Sequence, residues 1–181
     1  MSRKLLCILL ALCGWMSGAA RAQPSLAPFE ADSYARILAQ QKGKPFVLIL
    51  WSLDCVYCQA SLKALAREKR RDKGLNIVTL ATDPLGEPQS EALLRARLGA
   101  LGLTAQAWAF GAAAPEQLRY GIDPKWHGEM PRSYWFDARG VRLAYSGVLS
   151  EEVIRRLAAP AGASAVQARD AHDFPGDVLG R

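Results

Sequence analysis

The chain has 181 residues, half of them hydrophobic and 22% charged, which excludes both a large multidomain enzyme and a wholly disordered polypeptide. Its formal charge of +6 includes Arg3, Lys4 and Arg21, which precede an expected cleavage site without an acidic residue among them. Without those three charges about +3 remains, too little to imply nucleic acid or an anionic membrane surface as a partner.

Residues 1–22 read as a secretory signal peptide. Arg3 and Lys4 form a positive start, Leu5 to Met16 an apolar stretch, and Ala20-Arg21-Ala22 a small-x-small cleavage site before Gln23. The apolar stretch is shorter than the roughly 18 to 20 residues that span a bilayer. Cleavage removes Cys7 and Cys13, so the mature chain keeps only Cys55 and Cys58. A disulfide across so short a spacing closes almost no loop and constrains the unfolded chain little, so stability is a poor reason for the pair.

In chain order, Ser25 to Phe29 reads as an exposed lead-in, and Ala31 to Gln41 as a helix carrying Tyr34, Ile37 and Leu38 at helical spacing and ending at Gly43. Pro45 to Ser52 is a continuous apolar run of β-formers, the pattern of a central parallel strand. From Cys55 to Lys73 the spacing of Cys55, Cys58, Leu62 and Leu65 predicts a helix, which Gly74 stops. Leu75 to Ala81 predicts a second strand. Pro84, Gly86 and Pro88 mark a loop before a helix with Leu94, Leu98 and Leu101 on one face. Leu103 to Phe110 reads as a third strand, weak because of its alanines. Pro115 opens a short helix to Tyr120. Arg132 to Phe136 and Val141 to Ser146 form a hairpin across residues 137–140, and Ser150 caps a last helix. Residues 160–181 are poor in large apolar side chains and read as a loose tail, leaving 23–159 as the one folded domain.

A strand that delivers Cys-Val-Tyr-Cys to a helix N-terminus suits a reactive thiol, because free N–H groups and the helix dipole favour a thiolate. Cys55 stands there as the nucleophile. Cys58, one turn later and in line with Leu62 and Leu65, is expected to be shielded and to resolve a mixed disulfide. Two cysteines without a second Cys or His pair cannot close a four-ligand zinc site, so no metal is expected there.

Two blocks resemble the TlpA/ResA-like periplasmic thiol–disulfide oxidoreductases of the thioredoxin superfamily. One is the strand-Trp-x-x-x-Cys-x-x-Cys-helix run with Trp51, Cys55 and Cys58. The other runs from Met130-Pro131 through Arg132 to Phe136 and the Asp137-Ala138-Arg139-Gly140 turn. The resemblance covers about Phe29 to Ala158. It implies an α/β thioredoxin-like fold, with a central mixed sheet flanked by helices and closed by a C-terminal antiparallel hairpin. It further implies a cis Met130–Pro131 loop facing the thiols, and client contact through Met130, Pro131, Trp51 and Tyr57. The implied activity is cofactor-free reduction of client disulfides in the periplasm by a monomer. The clients would be proteins such as an apocytochrome or a copper-assembly protein, and the electrons would come from a membrane thiol carrier.

The sequence also departs from that pattern. Leu48-Ile49-Leu50 is wholly apolar where thioredoxins carry a buried acid in the central strand, so proton handling must differ. Asp54 stands where it could cap the cysteine helix while opposing a thiolate, and Arg132 where it could offset that charge, but a solvated surface ion is the expected state of each. Val56-Tyr57 matches neither the Gly-Pro of reducing thioredoxins nor the Pro-His of the oxidant DsbA, so redox direction stays open. Copper(I) binding by Cys55 and Cys58 with Met130 or His127, and a non-catalytic interaction module, are the alternative readings. The basic run Arg67, Lys69, Arg70, Arg71 and Lys73 reads as a solvated helix face.

Overall fold

The computed structural model describes residues 26–159. The expected signal peptide and C-terminal tail lie outside the described residues. The elements run β1 (Leu26–Phe29), α1 (Ser33–Gln40), β2 (Phe46–Trp51), α2 (Val56–Arg71), β3 (Ile77–Pro84), α3 (Pro88–Leu101), β4 (Ala107–Phe110), α4 (Pro115–Ile122), β5 (Arg132–Phe136), β6 (Arg142–Ser146) and α5 (Glu151–Ala158). The six strands form one sheet in the order β1-β4-β3-β2-β5-β6. Strands β1 to β4 pair in parallel, while β5 runs antiparallel to both β2 and β6. This is the mixed sheet with a terminal antiparallel pair that the sequence predicts.

All six residues of β2 are buried, because both faces of this central strand are covered. The period-2 alternation of a strand divides its side chains between two cores. Val47, Ile49 and Trp51 pack with Cys58, Leu62 and Leu65 of α2, Leu94 and Leu98 of α3 and Ile154 of α5. Phe46, Leu48 and Leu50 pack on the other face with Ile37 of α1 and Leu118 and Ile122 of α4. The helical stripes read from the sequence therefore serve opposite faces of one sheet.

Two readings need correction. Residues 26–29 are not an exposed lead-in: they form an edge strand parallel to β4, with Leu26 and Phe29 buried. Four residues are too few to show periodicity, and Pro28 is tolerated because an edge strand need not donate to a second neighbour. Phe29 earns its place by stacking on Phe110 (centroids 6.0 Å apart) and meeting Trp108 edge-on (6.4 Å). The third strand is shorter than Leu103 to Phe110, spanning only Ala107–Phe110, since the residues before it turn out of α3 through Gly102, whose φ of 70° is left-handed.

Several of the α2 basic residues are engaged within the molecule rather than simply solvated. Arg67 Nε and Arg71 Nη1 donate to the Glu151 carboxylate at 2.8 and 2.7 Å, joining α2 to α5, and Lys69 Nζ donates to the carbonyls of Lys73 and Leu75. The Arg71 and Arg67 hydrogen bonds pull the Glu151 carboxyl down to about 2 from an ordinary 4.5. Because the folded value is the lower one, the clamp's contribution is fully present above pH of about 4.5 and fades as pH falls towards 2. Over that window the melting temperature is expected to drop more steeply for the parent than for Glu151→Gln; parallel melting curves would contradict this.

Candidate active site

The β2 strand ends at Trp51, and residues 52–55 turn the chain into α2. Cys55 is the N-cap of that helix: its Sγ accepts from the backbone N–H of Cys58 at 3.1 Å. Asp54 does not cap the helix: it is exposed, as a solvated surface ion is, and the sulfur itself occupies the capping position. Cys55 and Cys58 are joined in a disulfide, with Cα atoms 5.1 Å apart. The two sulfur-bearing residues are not equivalent. Cys58 is wholly buried in the core with Leu62 and Leu65, whereas Cys55 is only partly buried. Between them Val56 and Tyr57 project into solvent, 76% and 66% exposed, a pair of apolar side chains beside the accessible cysteine.

Gln59 secures the turn from the helix side, its Nε2 donating to the carbonyls of Ser52 (3.2 Å) and Leu53 (3.5 Å). Arg97 of α3 in turn donates to Gln59 Oε1. From the sheet side, Asp83 Oδ2 accepts from Leu53 N–H at 3.0 Å. Burial pushes the Asp83 carboxyl above the usual carboxylate value, and the nearby charge of Asp54 adds to that rise, while backbone hydrogen bonds oppose it.

The Met130–Pro131 bond is cis, and the Pro131 carbonyl accepts from Gly147 N–H at 3.0 Å. Met130 is partly buried and packs against both cores, including the one that holds Trp51 and Cys58 and against which Cys55 also rests. Trp51 is wholly buried. Its side chain belongs to the same core as Cys58 and offers no surface for the client contact that the resemblance implies.

The segment before the proline is fastened by a cluster that sequence reasoning missed. Asp123, only 4% exposed, accepts from Arg132 Nη2 (3.0 Å), the Tyr134 hydroxyl (3.1 Å) and Lys125 N–H (3.1 Å), with Arg142 Nη2 at 3.7 Å. The Arg132 and Arg142 guanidiniums each lie 5.0 Å from the Tyr134 ring centroid. Burial works against charge on Asp123, but the Lys125 amide, Arg132, Tyr134 and Arg142 outweigh it and hold the carboxyl below its ordinary range. Burial pushes the Tyr134 phenol well above its own range. Arg132 also reaches Glu129 (3.2 Å) and Ser146 (2.6 Å), so it is committed here rather than offsetting Asp54. The Trp126 indole N–H closes the segment on the Glu129 carbonyl at 2.8 Å. The only hint in the sequence was Arg132 and Tyr134 two apart on one strand, which puts them on one face.

A cavity of about 730 Å³ lies at the opposite end of β2, lined by Pro45, Phe46, Trp135, Phe136 and Leu157, far from the cysteines that leave the strand's other end. Among the described residues no group of three or more His, Cys, Asp and Glu is arranged to hold a metal ion.

No protein-family model matches the sequence, and no curated protein matches it either. Solved structures do match. A secreted Mycobacterium tuberculosis disulfide oxidoreductase homologous to E. coli DsbE is similar at 17% identity over 67% of this chain and 84% of its own, with a TM-score of 0.52. M. tuberculosis dsbF is similar at 16% identity over 66% of this chain and 81% of its own (TM-score 0.51). A thioredoxin-family thiol:disulfide interchange protein from Chlorobium tepidum is similar at 19% identity over 77% of this chain and 97% of its own (TM-score 0.51). The chain has a thioredoxin-like fold, as the sheet order and the cysteine-bearing helix already indicate.

Proposed function

We propose that the protein is a thiol–disulfide oxidoreductase that reduces client disulfides through Cys55 and Cys58. The observation that carries this reading is the asymmetry of the pair: one cysteine is accessible at a helix N-terminus, and its partner is buried one turn below. In the reduced protein the Cys58 N–H that now faces Cys55 Sγ, together with the helix dipole, favours its thiolate. That thiolate attacks one sulfur of a client disulfide, forming a Cys55–client disulfide and releasing the other client sulfur as a thiolate. Cys58 gives up its proton and attacks Cys55 Sγ, which forms the intramolecular disulfide and releases the second client thiolate. Two electrons pass to the client, and its two thiolates take up two protons. The sulfurs carry the electrons, so no bound cofactor is needed, and a thiol donor restores the reduced pair.

In this reading Tyr57, Met130 and Pro131 receive the client; the 66% exposure of Tyr57 and the packing of Met130 against the core on which Cys55 rests support it. Export fits the signal-like residues 1–22, and the mature domain would then be residues 23–159 followed by the 160–181 tail. It is also in keeping with the secreted M. tuberculosis oxidoreductase. The TlpA/ResA resemblance supports a periplasmic monomer supplied by a membrane thiol carrier and acting on apocytochrome or copper-assembly clients. The test is to mix the reduced protein with insulin and count thiols on each partner. Transfer of two thiol equivalents to insulin, absent in Cys55→Ser, is expected. If the oxidised protein instead takes electrons from reduced client thiols while the reduced protein leaves insulin intact, it is an oxidant and the assigned direction fails.

A further inference from the structure

The end of β3 carries an irregularity that the catalytic scheme does not use. Strand β3 pairs with β4 in step as far as Ala81 opposite Ala109, and pairing resumes with Pro84 opposite Phe110. Three steps on one strand thus match one step on the other, which leaves Thr82 and Asp83 as extra residues. A bulge of this kind frees side chains from the ladder and re-aims them. Both are aimed at the two loops of the site. The Thr82 hydroxyl lies 3.4 Å from the Trp51 carbonyl and 3.8 Å from Met130 Sδ, and Asp83 Oδ2 accepts from Leu53 N–H at 3.0 Å.

Leu53 lies in the turn that sets the approach of Cys55. Its carbonyl and that of Ser52 are held by Gln59, and the Cys55 N–H reaches back to the Ser52 carbonyl at 3.4 Å. The Leu53 N–H is satisfied by Asp83, and a half-buried amide that loses its acceptor must turn towards water to recover one. Such a turn would carry Cys55 off the N-cap and away from the Cys58 N–H that its sulfur now accepts.

We infer that Asp83 is a positioning residue for the redox centre: by holding Leu53 N–H it keeps Cys55 seated on the N-terminus of α2, and thereby keeps its thiolate stabilised. The inference rests on the redox role proposed for Cys55. A carboxylate near a thiol could also act in the opposite sense, since its negative charge disfavours a thiolate. The two effects predict opposite signs when the carboxylate is removed.

The experiment uses single-thiol protein. In a Cys58→Ser background, the rate of Cys55 alkylation by iodoacetamide at neutral pH reports its thiolate fraction. Adding Asp83→Ala is expected to slow alkylation about tenfold, because the thiol moves back towards the ordinary cysteine range. Asp83→Asn, whose amide oxygen can still accept from Leu53 N–H, is expected to recover to within about threefold of the background. Far-UV circular dichroism and thermal melting check that the variants fold. Should the alanine variant unfold, the asparagine variant alone decides, and a loss beyond threefold overturns the inference. An alanine variant as fast as the background, or faster, also overturns it, as does an asparagine variant no better than alanine. These ratios read the brace whether or not Cys55 attacks disulfides. Failure of the otherwise unaltered protein to reduce insulin would strike the proposed function instead.

Discussion

Replacing Cys58 with Ser is expected to turn the protein into a trap, with clients held on Cys55 as mixed disulfides that survive alkylation and non-reducing electrophoresis. Once Cys55 has attacked, release requires a second thiolate, and Cys58, one helical turn below in the core, is the sulfur that the fold places for it. Cys55→Ser should trap almost nothing and lower disulfide exchange by about 100-fold or more, because the remaining thiol is wholly buried and cannot meet a client. Trapping by the two variants in equal amounts would overturn the assignment of nucleophile.

The largest expected effect on stability lies beside the proline loop. Asp123→Ala removes the carboxylate on which Arg132, Tyr134 and the Lys125 amide converge, and leaves the Arg132 guanidinium, whose side chain is only 14% exposed, with Glu129 and Ser146 as its remaining partners. Losing the buried carboxylate together with the Tyr134 and Lys125 hydrogen bonds that it accepts costs about 3 kcal/mol, even though Glu129 still pairs with Arg132. For a domain of this size that is a fall of roughly 10 °C in melting temperature. Tyr134→Phe, which deletes one hydroxyl from the same cluster and leaves the Arg132–Asp123 pair, should cost only about 1 kcal/mol. A denaturant titration that gave Asp123→Ala near-parent stability would show that the cluster does not hold the segment.

What could be read from the sequence follows from the physics of each element. The Phe46–Trp51 run and the Cys58, Leu62, Leu65 stripe depend on patterns within a dozen or so residues, and both stand as expected. The β5–β6 hairpin was legible for the same reason: Asp137 Oδ1 accepts from the N–H groups of Arg139 and Val141, and Gly140 supplies the left-handed φ of 84°. Strand β1 was not legible, because a four-residue edge strand shows no period and owes its existence to β4, far along the chain.

The same distinction separates the cysteine pair from its supports. Cys-x-x-Cys is a local spacing, but Asp123 meets Arg132, Tyr134 and Arg142 only after the hairpin closes. Asp83 reaches Leu53 only because two extra residues interrupt the β3–β4 ladder. The sequence offers Thr82-Asp83-Pro84 simply as the start of a loop. Trp51 shows the converse: the resemblance implied a client contact there, while strand alternation places its side chain with Val47 and Ile49 inside the core.

The central claim, that Cys55–Cys58 is an exchange centre rather than an inert staple, is tested most directly by the reduction potential of the pair, measured by equilibration in glutathione and dithiothreitol redox buffers. A value between about −120 and −270 mV is expected, the interval that contains working oxidants and reductants of this chemistry. A potential below about −300 mV, where structural disulfides lie, would contradict it.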